Sequence, residues 1–487
     1  VLGIGAVIMA YSTRYFPPGP RLGFYALMSL FAFAMTGLVL ADDLVLLYVF
    51  WELTTLASFY LIGLSGKAAD RPAIRTFLLT VIGGLTLLAA VVLMWLRTGT
   101  TRLNEILADP VWSEDPTFTS TIAVLVMVAV FTKSAQFPFH YWLPDAMAAS
   151  TPVSAYLHAA AMVKAGIYLA MRFTPAFSDL PLWNTTLITL GLTTALLGAL
   201  YALQQHDLKT LAAYSTVSQL GLLIATIGVG TQTALTAATI HTLAHALFKA
   251  TLFMVVGLVD HQTGTRDLRN LGGLRHHMPL TTTIATLAAL SMAGIPPLLG
   301  FLSKENLFKA FLETPGPAWT SPLTATAAVA ASTLTFAYAF RFVHATFWGT
   351  PRNTHQQTTH EAPTTFWAPA ALPALTGLIL GLTPPTLDPL ANAATESATH
   401  RPADAHLMLW HGFNLPLVMS ALVIALGILV VRSTRGGETL SGRSLAPVTG
   451  VSVFEAIHAG TIRLGRRTGA RTRSDSPAFH LGATTVM

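Results

Sequence analysis

Cysteine is absent from this 487-residue chain, which excludes disulfides, thiolate metal sites and cysteine-held iron–sulfur clusters. Charge is nearly as scarce. Only 10% of residues are Asp, Glu, Lys or Arg, against roughly 25% in a soluble domain, while 53% are hydrophobic. No GxGxxG nucleotide fingerprint is present, so no cofactor is expected on this chain. A signal peptide is not indicated. The chain opens VLGIGAVIMAY, inside an apolar run without Met, basic n-region or cleavage site, and reads as starting downstream of its true N-terminus. What remains is an all-α polytopic membrane protein. Its formal net charge of +6 comes mostly from loops and tail, and so speaks of orientation and not of nucleic acid.

A helical span needs about 20 apolar residues at 1.5 Å rise per residue. By that ruler about 13 transmembrane segments are expected, near 1–16, 22–41, 43–64, 73–96, 120–137, 151–173, 183–203, 207–228, 231–260, 280–302, 320–348, 364–386 and 406–432. They form a transmembrane domain over 1–432, followed by a polar, Arg-rich tail over 433–487 with GRRTGARTR at 465–473. The tail's glycine-rich start argues against a long ordered helix, leaving disorder or a surface helix beside anionic lipid. Alternating the loops from a first side divides the 28 Lys and Arg residues. Lys133, Lys164, Lys249 and Lys304 lie within or at the ends of spans, and Arg97, Arg102, Arg172, Lys309 and Arg401 fall on the second side. All the others, among them Arg75, Lys209 and Arg341, fall on the first side. That side, with the C-terminus, is expected in the cytoplasm of a multi-pass cell-membrane protein.

Ionisable residues inside apolar runs carry the functional argument. Glu52 lies mid-span in LLYVFWELTTLASFYLIG, as a proton-titrating or pair-forming carboxylate or as a buried neutral one that holds a helix contact. Lys133 and Lys164 flank a segment broken by Pro138, Pro144 and Pro152 that also carries the accessory candidates His140, Asp145 and His158. A lysine at helix centre costs roughly 2.5–3.5 kcal/mol on insertion scales. Snorkelling is the alternative for Lys133, whose helix is expected to stop near Pro138. The break at 134–144 frees backbone carbonyls and is a candidate water-lined elbow.

His241, His245 and Lys249 recur at i, i+4 and i+8. They drift by about 80° over about 12 Å and form one polar stripe, suited to a proton relay or to structural hydrogen bonding. A metal site would lack the HExxH glutamate or a nearby carboxylate. A second break, SMAGIPPLLGFLSKEN, precedes Lys304. Broken helices with an ionisable residue at the break recur in ion-coupled transporters. Residues 120–173 echo 231–304 weakly, as inverted repeats would.

WELTTLASFYLIG, TKSAQFPFHYWLPDAMAASTPVSAYLHAAAMVKAGIYL, AAYSTVSQLG, HTLAHALFKATLFMVVGLVDHQTGTRD and GIPPLLGFLSKEN resemble the antiporter-like subunits shared by respiratory complex I and the multisubunit Mrp cation/proton antiporters. The resemblance runs from about residue 20 to about 420. TKSAQFPFHYWLP, VSAYLH, MVKAGIY, DHQTGTRD and LWHGFNLPLVMS are more similar to the large A-type Mrp subunits than to those of complex I.

The resemblance implies an antiporter-like fold with two broken helices. It makes Glu52 the membrane glutamate, Lys133 its pairing lysine, Lys164 the lysine of the following helix, and His241, His245 and Lys249 the central relay. Lys304 becomes the terminal lysine that exchanges protons with one face. The implied partners are other Mrp subunits, membrane lipids, protons and Na+. Relative to the family the chain begins about two helices late and lacks the further C-terminal helices implicated in cation passage, so the proton-handling half is visible and the sodium-handling half is not. A complex I subunit coupled to NADH:quinone oxidoreduction is the runner-up. A silent scaffold paralogue would need only packing residues, and the seven ionisable positions argue against it.

Overall fold

Short polar side chains open the long helices and glycines close several of them. Asp43, Asp115 and Asp207 accept hydrogen bonds from the backbone N–H three residues on (Leu46, 2.8 Å; Phe118, 3.0 Å; Thr210, 2.8 Å), and Thr231 does the same for Ala234 at 3.2 Å. Gly99, Gly230 and Gly264 end their helices at φ of +75°, +76° and +69°, in the left-handed region where a Cβ is costly. The computed structural model describes residues 1–19, 21–350, 359–399, 401–410, 412–433 and 450–472.

The helices that matter are α1 (Leu2–Tyr15), α2 (Leu22–Leu40), α3 (Leu44–Gly63), α4 (Asp70–Thr98), α5 (Pro116–Lys133) and α6 (Thr151–Ala155). A π-helical turn, Tyr156–Ala160, joins α6 to α7 (Met162–Phe177). There follow α8 (Pro181–Gln204), α9 (Leu208–Val229), α10 (Gln232–Thr263), α11 (Pro279–Ala293), α12 (Leu299–Leu312), α13 (Thr320–Val343), α14 (Thr364–Leu382), α15 (Asp388–Thr399), α16 (Leu415–Ser433) and α17 (Gly450–Thr472). Among the described residues 11 helices are long and apolar enough to cross a membrane, counting α6 to α7 as one. The other two expected segments correspond to α1, of 14 residues, and to the pair α11 and α12, into which the expected span 280–302 divides.

Core position does not follow apolarity, because lipid accepts an apolar outer face and the polar stripes gather inside. α9 and α10 are buried almost all round and form the centre, whereas α2 and α16 bury one stripe and face outward. α8 and α9 approach unusually closely. A Cβ at Gly191 would stand 2.5 Å from Ala225 N, and one at Gly221 would stand 2.4 Å from Ala195 N. Backbones this close bring dispersion contacts that lipid cannot replace.

Three cations counted on the first side lie within helices, inside the spans expected there. Arg75 is in the second turn of α4, Lys209 in the first turn of α9 and Arg341 in the last turn of α13; Lys209 and Arg341 are buried. Each sits near a helix end and finds its partner on a neighbouring segment, Arg75 in the Asp145 carboxylate and the other two in backbone carbonyls. Lys209 Nζ donates to the carbonyls of Met147 (3.0 Å) and Ala149, and Arg341 donates to that of Leu203.

The chain divides into two compact units, Val1–Arg443 and Ser444–Met487. Contrary to the expectation against a long ordered helix, the second unit contains the 23-residue α17. Val453, Ile457 and Leu464 fall on one face of it and are exposed there, an amphipathic pattern. The rest of the expected tail, 434–449 and 473–487, lies outside the described residues.

Candidate functional site

Glu52 occupies the middle of α3, partly buried, with Oε1 enclosed and offered no hydrogen-bond donor by the protein. Its oxygen fits because α4 carries glycine opposite. A Cβ at Gly84 would stand 1.6 Å from Oε1. Lys133, the last residue of α5, is fully buried. Its Nζ donates to Thr55 Oγ1 at 2.8 Å and to the Trp51 carbonyl at 3.2 Å, and lies 4.9 Å from the Trp51 ring centroid. Lys133 therefore does not snorkel. Nor do Glu52 and Lys133 form a hydrogen bond: the lysine is held by the two α3 residues that bracket the glutamate, and Oε1 of Glu52 faces no donor.

The break after Lys133, expected as a water-lined elbow, instead has its freed carbonyls taken by protein groups. Trp142 Nε1 donates to Thr132 O (2.8 Å), Gln136 N to Phe131 O (2.9 Å) and Gln136 Nε2 to Ser134 O (2.7 Å), while Ser134 Oγ ties the elbow to Val163 O of α7 (2.7 Å). Of the accessory candidates, Asp145 is clamped by Arg75, whose Nε and Nη2 reach its two oxygens at 2.6 and 2.9 Å. His140 stacks between Phe137 and Tyr201, with ring centroids 6.0 and 6.1 Å away. His158 lies in the π-helical turn, fully buried between Trp142 and Phe253, and neither of its ring nitrogens has a protein partner.

At the centre, Lys164 Nζ is in hydrogen-bond contact with His245 Nδ1, joining α7 to α10. An ammonium only donates, so when Lys164 is charged Nδ1 must accept and the imidazole proton sits on Nε2, which has no protein partner. One turn away, His241 has both nitrogens engaged: Nε2 with Gln219 Oε1 (3.1 Å) and Nδ1 with Ser303 Oγ (3.0 Å). Gln219 Nε2 in turn donates to Thr335 Oγ1 (3.1 Å) and Tyr338 OH (3.0 Å), which fixes its amide oxygen toward the histidine. Ser303 Oγ also lies 3.0 Å from Gly300 O. Its single hydrogen can point to Nδ1 of a neutral imidazole, or turn to Gly300 O and accept from an imidazolium. His241 thus gains a proton without losing a partner.

Lys249, further along α10, donates to Ser215 Oγ and to Ala212 O (3.2 Å) of α9. Lys304 donates to Ala293 O (3.1 Å), a carbonyl left free because α11 stops there. Gly294 at φ +84° makes that stop, and a Cβ on it would stand 2.7 Å from Lys304 Cδ. Among the described residues no three His, Asp or Glu side chains gather as a metal site would require.

The structure brings Lys164, His245, His241 and Lys249 together around α9 and α10, with Lys133 and Glu52 toward α3 and Lys304 at α12. Sequence reasoning missed Lys209, Gln219, Ser215, Ser303 and Tyr338. Gln219, an amide inside the apolar run of α9, was the one with a readable signal.

Residues 41–335 match the family model described as NADH:quinone oxidoreductase/Mrp antiporter, TM. The chain belongs to this family of membrane-embedded antiporter-like subunits. Within it, the chain is 55% identical to a chain of the Mrp complex from Dietzia sp. DQ12-45-1b, with a TM-score of 0.93 over 100% of this chain and 53% of that one. It is 42% identical to a Rhizobium meliloti protein named as a probable A/B-type subunit of a K(+)/H(+) antiporter, over 88% of this chain and 43% of that protein. It is 39% identical to antiporter subunit mnhA2 of Staphylococcus haemolyticus, over 88% and 57%. A chain of the archaeal membrane-bound sulfane sulfur reductase, 21% identical with a TM-score of 0.78, shares the fold. The chain spans about half the length of the curated relatives it matches.

Proposed function

We propose that this chain is the proton-translocating part of a multisubunit monovalent cation/proton antiporter, with Na+ the expected cation and other Mrp subunits its partners. It works in the cell membrane with its C-terminal end toward the cytoplasm. The observation that carries the reading is the Lys164–His245 contact. It joins the lysine side of the broken helix to the His241–Lys249 stripe, so the buried bases make one series across the membrane plane. Each buried charge costs roughly 2.5–3.5 kcal/mol on insertion scales, more than packing alone would require of so many.

In this mechanism Lys133 is the switch. Closing the gap to Glu52 favours its ammonium, and reopening it releases a proton toward Lys164. Lys164 and His245 cannot both donate across their contact, so a proton arriving at one displaces one from the other. His241 takes it up as Ser303 turns, and Lys249 and Lys304 complete the series. One charge crossing 100 mV supplies about 2.3 kcal/mol, which sister subunits can spend on cation efflux when more protons enter than cations leave.

The family membership and the 55% identity to a Mrp chain support this reading. The shared family model also favours, on its own, a proton-pumping subunit of an NADH:quinone oxidoreductase. Copurified flavin or iron–sulfur subunits would select that alternative. The direct test uses everted vesicles carrying the assembled complex. Glu52→Ala and Lys133→Ala should abolish sodium-dependent recovery of ΔpH-quenched fluorescence with assembly intact, and normal antiport in either would overturn the series.

A further inference from the structure

Between α11 and α13 lies an apolar groove of about 320 Å³, walled by Ala289, Leu290 and Ala293 on one side and Phe336, Ala339 and Phe340 on the other. From Phe336 to Trp348 it follows α13 and its π-helical end (His344–Trp348) for about 18 Å at 1.5 Å per residue. One leaflet of hydrocarbon is about half of 30 Å. A slot of this volume drawn out over that length is narrow, suited to hydrocarbon chain and too slight to seat a helix about 10–12 Å across.

The outer end of the groove is built differently. Trp348 is 51% exposed, and the Arg275 guanidinium lies over its ring, 4.4 Å from the centroid. Arg275 Nε donates to His276 Nε2 at 3.0 Å, and no described residue takes a hydrogen bond from its Nη groups. His344, exposed, stacks on Phe340 at 5.0 Å. A guanidinium over the Trp348 ring, with His276 beside it and His344 on Phe340, stands at the end of an apolar slot. That is complementary to a phosphodiester attached to an acyl chain.

We propose that this groove binds one acyl chain of an anionic phospholipid, with its phosphate at Arg275, His276 and His344. The inner end of the chain then lies against Ala293, whose carbonyl holds Lys304 at 3.1 Å. A bound lipid therefore seals the apolar side of the α11 break behind that lysine.

The test uses the assembled complex in nanodiscs with phosphatidylglycerol bearing a diazirine on its acyl chain. Adducts should map to 286–293 and 336–348. Unlabelled phosphatidylglycerol should compete about fivefold better than phosphatidylcholine, as expected for one arginine contributing about 1 kcal/mol at an anionic surface. Arg275→Gln should retain the adducts and lose the preference. Ala339→Phe, filling the slot, should remove the adducts while the complex still elutes at its assembled size; if that variant fails to assemble, Arg275→Gln decides alone. Equal competition by the two lipids, an unchanged preference in Arg275→Gln, or cross-links from these residues to another polypeptide in place of lipid would overturn the proposal.

Discussion

Glu52 holds its carboxylate in the gap that Gly84 leaves in α4, so the reactive geometry depends on an atom that is not there. In Gly84→Ala the methyl would occupy the position of Oε1 and turn the carboxylate away from its niche. Antiport should fall on the order of tenfold with a displaced pH profile, as for loss of a switch interaction. Gly377→Ala, at a glycine with nothing within 4 Å, should leave it unchanged. Equal activity in the two variants would show that the niche does not position Glu52. Ser303→Ala is a second residue-scale test. Removing the hydroxyl leaves Nδ1 of His241 without its two-way partner, and proton-driven transport, read as the rate of ΔpH recovery in vesicles, should slow with assembly intact. The ionisable members of this set were legible because Glu, Lys and His inside apolar runs are rare. Ser215, Ser303 and Thr55 were not, since a lone hydroxyl in a helix usually bonds its own turn and carries no sign of a distant partner. Lys209 was counted only for its side, because beside the capping Asp207 at a helix start nothing in the sequence shows its carbonyl partners.

At the scale of elements, prolines and glycines announced both breaks, with Lys133 just before the first and Lys304 after the second. The π-helical turn around His158 was invisible, because YLHAA contains no breaker and its register shift arises from packing against α10. The α8–α9 contact offers a stability test. Gly191→Leu forces the two backbones apart, and overpacking of this kind costs about 1–3 kcal/mol, so the apparent Tm in detergent should drop by several degrees. The loop pair that frames α3 gives a pH test outside the membrane. The Thr101 hydroxyl, with help from the Leu46 and Val45 amides, holds the Asp43 carboxyl below the usual range. A depressed carboxyl contributes stability that is fully present above its unfolded value near 3.9 and is lost as pH falls through the folded value. Protection factors of the Leu44 and Leu103 amides, which bond Thr101 O (2.8 Å) and Asp42 O (2.6 Å), should therefore fall below about pH 4. In Asp43→Asn they should show no such acid step.

For the whole molecule, hydropathy located the spans well and their ends poorly. Ionisable residues at span ends can turn inward to freed carbonyls, as Lys209 and Arg341 do. The proposed orientation has a direct check, because the chain lacks cysteine and any introduced thiol is unique. In intact cells a membrane-impermeant maleimide should modify Ser113→Cys and spare Lys67→Cys, both positions being exposed. The reverse pattern would invert the topology and the direction assigned to proton uptake.

α10 is a single unbroken helix of 32 residues, and it carries His241, His245 and Lys249 while its partners sit on α9, α7 and α12. Any rotation of this helix about its axis would carry His241, His245 and Lys249 together, and so would shift their contacts with Gln219, Lys164 and Ser215 in concert.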